Sequence, residues 1–397
     1  MSTLFPQISA RLARDVYLLT DAVSIDDGVA KLRATWDDLI QFEATDKNVT
    51  LAKTGGPAFL KSRTAFGLCV LGKGGFKGHA FFVFRGTRYL GDWLTNFNVG
   101  TTRSALGNQV HDGFHLAFNT MKGKLDSFIA DLAKNGIEHV HCIGHSLGGG
   151  LASICAEYIS ANTSHSPYLY TFGAPRVGFA PFADALSRKL TPERMFRVYH
   201  RTDIVPCIPF WPFVHAPTLL SDKYDYFQPS PGAFPAGEWH DMKLYCKTVG
   251  KDGWKTLRGK KGESYSDTSI ENWLKQTSPV SFTTTNIQWL DKAISWVVGK
   301  CLKGLGIAAT FLVSSTMTIM DRIAYILKKG IDLSKTLSGW VMMLIRKIIS
   351  MLGLRKVIEK ADATKSFIEK VFQQLSQRVN TYCQKALDQV LVGGKAV

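Results

Sequence analysis

The chain has 397 residues, 45% of them hydrophobic, enough to bury a sizeable core and to build more than one domain. Its formal net charge of +16 is unevenly spread: residues 247–397 hold 24 of the 48 Lys and Arg but only 11 of the 32 Asp and Glu. Seven cysteines without a CxxC pair or zinc-ligand spacing argue against a disulfide framework or a zinc module, and for reduced, buried thiols.

Met1 to Thr20 lacks the uninterrupted apolar stretch of an ordinary secretory signal peptide, because Arg11, Arg14 and Asp15 interrupt it. The expectation is a protein that is cytoplasmic when made, and that is membrane-associated or exported by a signal-independent route. Ile8, Leu12, Val16 and Leu19 share one helical face, which predicts a covering helix over 7–19, and residues 28–42 repeat the pattern. The apolar runs 66–71 and 80–84, divided by Gly72 to Gly78, predict strand, turn, strand. The second run leads into Phe84-Arg85-Gly86-Thr87, then Asp92-Trp93 and Asn96-Phe97. Residues 88–98 mix aromatic and polar side chains on a short predicted helix, a candidate lid. Val110 to Phe118 opens a helix to about Lys134, with Phe114, Phe118, Met121, Leu125, Phe128 and Leu132 on one face. Core packing is the favoured reading there, over chemistry at His111 or His115.

Val140 to Ile143 reads as a buried strand and Leu151 to Ala156 as a helix, and between them stands Gly144-His145-Ser146-Leu147-Gly148-Gly149. Strand, sharp turn and helix form the context that a G-x-S-x-G nucleophile elbow requires. Side chains at Gly144 and Gly148 would collide as strand and helix close on the turn. The helix N-terminus would face the point where negative charge develops. Two further strands follow: Tyr168–Phe172, ending at Gly173, and Met195–His200, ending at Thr202-Asp203-Ile204-Val205-Pro206. Strands alternating with helices predict an α/β fold with a mainly parallel sheet flanked by helices.

Catalytic groups collect at the carboxyl ends of such strands. A serine hydroxyl needs a base, and the base needs an orienting carboxylate. Ser146 is the candidate nucleophile and Asp203, directly after a strand, the candidate orienter. In a fold running Ser, Asp, His, the base follows Asp203, which leaves His215 and His240. His240, at a loop-to-helix junction opening Trp239-His240-Asp241-Met242-Lys243-Leu244-Tyr245, is preferred. His215 lies close in sequence to Asp203, among prolines. His200 precedes the carboxylate and reads as a local polar contact. Oxyanion donors are expected from the backbone N–H of Leu147, which follows the nucleophile, and of Thr87, with Asn96 steadying the Thr87 hydroxyl.

These motifs together, FRGT at 84–87, DW at 92–93, VHDGF at 110–114, GHSLGG at 144–149, FGAPRVG at 172–178, TDIVP at 202–206 and HDMKLY at 240–245, resemble the class 3 lipase family of the α/β-hydrolase fold. The resemblance covers about residues 8–250. It implies Ser146 as nucleophile, Asp203 as orienter, His240 as base, an oxyanion hole at Thr87 and Leu147, and Asn96 as anchor of the oxyanion loop. It further implies hydrolysis of glycerolipid acyl esters without cofactor or metal. His200-Arg201 stands where the family commonly has an asparagine.

The chain is thus expected to divide into a hydrolase domain, 1–250, and a basic, all-α region, 251–397. Residues 247–267 read as a polar linker. Gly304 to Met320 is a run of 17 uncharged, largely apolar residues, short of the roughly 20 that span a bilayer. Leu337 to Ile345 is a second apolar run, and 356–391 carries apolar residues at three-and-four spacing, one long amphipathic helix. This tail reads as a helical bundle, as a membrane-binding element, or as a docking surface for an inhibitor or delivery protein. The expected partners are a glycerolipid or phospholipid substrate and an anionic membrane surface. No nucleic-acid-binding motif is present. A phospholipase of the antibacterial effector type fits this combination; the competing reading is a non-enzymatic membrane-permeabilising protein.

Overall fold

The computed structural model describes residues 2–54, 62–86, 100–218, 224, 226–250, 252–259, 265–308, 317–354 and 358–392. Two helices come first, α1 (Pro6–Asp15) and α2 (Ile25–Trp36). The expected helix over 7–19 stops at Asp15, and Leu18–Asp21 forms a separate turn. The second helix starts earlier than expected because the Ser24 side chain accepts the Asp27 N–H and caps it. It ends at Trp36, and Ile40–Gln41 leaves the helical path to pair as strand β1.

Among the described residues, the main sheet has eight strands. They are β1, β2 (Val49–Thr54), β3 (Ser62–Gly72), β4 (His79–Phe84), β7 (His139–His145), β8 (Tyr168–Phe172), β10 (Met195–His200) and β12 (Tyr226–Gln228). From β4 the neighbours β7, β8, β10 and β12 run parallel, while β1, β2 and β3 add antiparallel pairs at the other edge. Four short strands, β5 (Thr101–Arg103), β6 (Gln109–His111), β9 (Gly178–Phe179) and β11 (Phe213–Val214), form a second, antiparallel sheet.

Strand alternation sorts the main sheet into two cores. Phe82, Phe84, Cys142 and Leu169 point to one face, where they meet α3 (Asp112–Lys134), α4 (Leu147–Asn162) and α5 (Ala180–Leu190). Phe81, Val83, Ile143, Tyr170 and Val198 point to the other face, against α1, α2 and α6 (Met242–Val249). On that second face a stack of imidazoles is buried. His79 Nδ1 lies 2.8 Å from His141 Nε2, and burial together with neighbouring His139 pushes His79 down to about 4. Such groups pack as neutral rings.

Five helices follow among the described residues: α7 (Asp267–Lys275), α8 (Thr284–Leu305), α9 (Ile319–Leu333), α10 (Lys335–Met351) and α11 (Lys365–Val392). Ser266, Thr283, Thr318 and Ser334 each cap the helix they precede, so local chemistry sets these starts. The expected helix over 356–391 begins at Lys365, after a separate single turn at Lys360–Asp362. The apolar faces of these helices merge with the first core, so the tail packs both on itself and on the α/β part of the chain. The expected Gly304–Met320 run lies partly outside the described residues. Among the described residues, no helix is long and apolar enough to cross a membrane. All seven cysteines are free thiols.

The segment expected as a polar linker is partly core. Trp254 and Leu257, on one helical turn, are buried against the second sheet face. The Trp254 ring packs on Tyr170, Phe196 and Tyr226, and its Nε1–H donates to Leu4 O at 2.7 Å. Isolated aromatic residues in a charged stretch carry no periodicity, so the sequence hides this contact. Trp254→Ala should lower stability by about 3–5 kcal/mol, read as a fall in the urea midpoint at unchanged slope.

Candidate active site

The elbow is set by a close approach of helix to sheet. A Cβ on Gly144 would meet the Gly148 carbonyl oxygen at 2.1 Å, and one on Gly148 would meet the Phe84 carbonyl oxygen at 2.1 Å. With both side chains absent, α4 can leave β7 through one tight residue. Ser146 takes that bend at φ 57° and ψ −131°, a conformation that costs a non-glycine residue about 1–3 kcal/mol. Its N–H donates to Phe172 O at 2.9 Å, and Gly149 N–H returns to Ser146 O at 2.9 Å. The strained residue is therefore held from both strand and helix.

Three elements meet above the sheet. Ser146 follows β7, Asp203 lies in the turn after β10, and His240 closes the single turn Gly237–His240 before α6. The Ser146 Oγ–H donates to His240 Nε2 at 2.9 Å, and His240 Nδ1–H donates to Asp203 Oδ2 at 2.9 Å. All three side chains are buried. Asp203 is held in turn by the Val205 N–H, at 3.0 Å to Oδ1, and by the Tyr245 O–H, at 2.7 Å to Oδ2. Burial, then the adjacent Asp203 charge, drive the Tyr245 hydroxyl well above its ordinary range, so it stays a donor.

The other histidines are committed elsewhere. His215 Nε2 faces Pro206 O at 2.7 Å, so its ring ties down the acid loop and His240 is the imidazole that reaches the serine. His200 Nδ1–H donates to Trp239 O at 2.7 Å, fixing the residue before His240, while its Nε2 pairs with the Thr248 hydroxyl at 2.8 Å. His111 caps α3 by accepting the Gly113 N–H.

A second relay runs behind the serine. Gly86 N–H donates to the Tyr17 oxygen at 2.9 Å, Tyr17 O–H donates to His145 Nδ1 at 2.8 Å, and His145 Nε2–H donates to His240 O at 2.8 Å. Every partner is satisfied only with a neutral imidazole. Burial, reinforced by nearby His240, holds His145 well below its ordinary range. The sequence reading assigned Tyr17, His145 and Tyr245 no role. Tyr245 stood inside the HDMKLY motif, and a buried phenol needs a partner, but Tyr17 arrives from 128 residues away and left no local signal.

Of the expected oxyanion groups, Leu147 opens α4 directly after the serine. Thr87, Asn96 and the expected lid over 88–98 lie outside the described residues. Gly86, which precedes Thr87, lies against Ser146: a Cβ there would stand 2.9 Å from Ser146 Cβ. Among the described residues, no cluster of His, Cys, Asp and Glu could hold a metal ion.

Residues 81–213 match the model of the family Lipase (class 3). Over this stretch the chain is similar to the class 3 lipases. A Secreted mono- and diacylglycerol lipase 1 of Fusarium solani is 35% identical over 144 residues, 35% of this chain and 41% of the relative. A Lipase of Rhizomucor miehei is 29% identical over 192 residues, 46% of this chain and 50% of the relative. A Toxin TseL of Vibrio cholerae serotype O1 is 33% identical over 105 residues, 26% of this chain and 15% of the relative. The matches thus span half or less of these relatives. Ser146 and Asp203 lie inside the matched stretch, and His240 follows it in the chain.

Hydrogen bonds to charged groups contribute about 1.5–3 kcal/mol each. Tyr245→Phe should therefore lower kcat for ester hydrolysis by roughly tenfold or more while leaving KM within about twofold. Steady-state kinetics on a soluble ester, with Tm measured alongside, checks this.

Proposed function

We propose that this protein is a serine ester hydrolase acting on acyl esters of glycerolipids. The observation that carries the reading is the continuous line of hydrogen bonds from Ser146 through His240 to Asp203, each 2.9 Å long. In this reading Ser146 Oγ attacks the acyl carbonyl as its proton passes to His240 Nε2. Asp203 keeps the imidazole in the tautomer that can accept it. The Leu147 and Thr87 N–H groups receive the oxyanion, with Asn96 anchoring the loop, and loss of one such donor typically costs about 3–4 kcal/mol. His240 then hands the proton to the leaving alcohol oxygen. Water, deprotonated by the same imidazole, cleaves the acyl-serine and releases the fatty acid. No cofactor or metal takes part.

The substrate class rests on the family and on relatives named as mono- and diacylglycerol lipases. Within that class we assign phospholipids at an anionic membrane surface. The support is the positive charge gathered in residues 247–397, which favours anionic headgroups. A relative named as a toxin supports a role as an antibacterial effector with a neutralising or delivery partner.

Ser146→Ala should abolish fatty-acid release from mixed vesicles of phosphatidylglycerol, phosphatidylcholine and diacylglycerol, with the circular dichroism spectrum unchanged. Near wild-type turnover in this variant would refute the nucleophile. Product analysis on the same vesicles distinguishes the substrates: lysophospholipid supports the assignment, whereas monoacylglycerol alone restricts the enzyme to neutral acylglycerols. A non-enzymatic permeabilising protein would instead release an entrapped dye equally well with Ser146→Ala.

A further inference from the structure

The turn that carries Asp203 continues as an acid loop to His215, and this loop lies in a seam between the lipase domain and the C-terminal helices. From the lipase side, Arg176 in the FGAPRVG motif clamps it. The Arg176 backbone N–H donates to Ile208 O at 2.8 Å, and its guanidinium Nη1 reaches Pro209 O at 3.1 Å and Phe213 O at 3.5 Å. From the helical side, α8 brings Asp291. Its Oδ1 accepts from Arg176 Nη1 at 2.7 Å and from the Trp211 N–H at 2.7 Å. Both charged side chains are more than nine-tenths buried, at 9% and 5% exposure. One turn earlier on the same helix, Gln288 Nε2 approaches Cys207 Sγ at 3.8 Å. Thr284, which opens α8, donates its N–H to Ala233 O in the loop leading to His240.

A carboxylate out of water is tolerated only where its partners are fixed. Asp291 has two fixed partners: the arginine that reads the acid loop's carbonyls and an amide of the loop itself. We propose that Asp291 is a positioning residue for ester hydrolysis, through which the C-terminal helices hold the acid loop and hence Asp203 in register with His240. The inference rests on Ser146 being the nucleophile of the proposed hydrolase. It makes the helical tail part of the catalytic unit rather than an appendage.

The test is the rate at which a fluorophosphonate phosphonylates Ser146 in the full chain. In that step phosphorus bonds to Oγ, fluoride leaves, and the serine proton passes to His240. Small shifts in catalytic geometry cost large factors, so Asp291→Ala should slow this rate about tenfold or more per folded molecule. Asp291→Asn keeps an oxygen for the Trp211 N–H and should stay within about threefold. Lys300→Ala, also on α8, removes an exposed pair with Asp267 of α7 and a contact over the Trp296 ring, and should react as wild type. Should Asp291→Ala not fold, the double variant Arg176→Met/Asp291→Leu removes both charges together, and when folded it should be slowed by the same factor. Unchanged rates in the folded Asp291→Ala or double variant would overturn the positioning role. A wild-type chain that does not react at all would instead refute the hydrolase reading beneath it.

Discussion

The structure depends on how closely one helix approaches one sheet. Because Gly144 and Gly148 lack side chains, α4 packs its first turn onto β4 and β7, and the single residue between strand and helix must take a positive φ. That residue is Ser146. The strain is small beside the burial it permits: α4 fills the first core with Leu147, Leu151, Ile154, Cys155 and Ile159. The same geometry lifts the hydroxyl above the strand ends, where the loops after β10 and before α6 can reach it. Fold and site therefore share one constraint.

Around this point the protein arranges buried polar groups with few loose ends. Tyr245 and the Val205 amide hold Asp203; His200 holds the carbonyl before His240; Tyr17 and His145 tie Gly86 to the carbonyl of His240. Each is a neutral donor or acceptor in a buried site, where an unpaired group would be expensive. Burial holds His145 and His200 below the ordinary imidazole range, while His240 stands between a hydroxyl and a carboxylate. That position, rather than sequence order, is what the proposed catalytic role of His240 rests on.

Much of this was legible in the chain. The elbow is a local motif whose strand and helix neighbours show at once, and the strands at 168–172 and 195–200 fall where their apolar runs lie. The choice between His240 and His215 was not legible as geometry, because distance in sequence says nothing about which ring faces the serine; in the structure His240 faces Ser146 and His215 faces Pro206 O. The second sheet escaped notice since strands of two or three residues show no alternation. Helical spacing revealed the last tail helix but not its surroundings. Asp291 meets Arg176 across 115 residues, and Trp254 meets Leu4 across 250. Such contacts are tertiary, with no periodic trace.

The central claim is that Ser146 becomes a covalent acyl carrier activated by His240. Acid quenching during turnover of a p-nitrophenyl acyl ester, followed by peptide mass spectrometry, tests it directly. The account predicts one acyl group on the peptide containing Ser146 in the wild type and none in His240→Ala. An unmodified serine during wild-type turnover, or equal acylation without the imidazole, would contradict it.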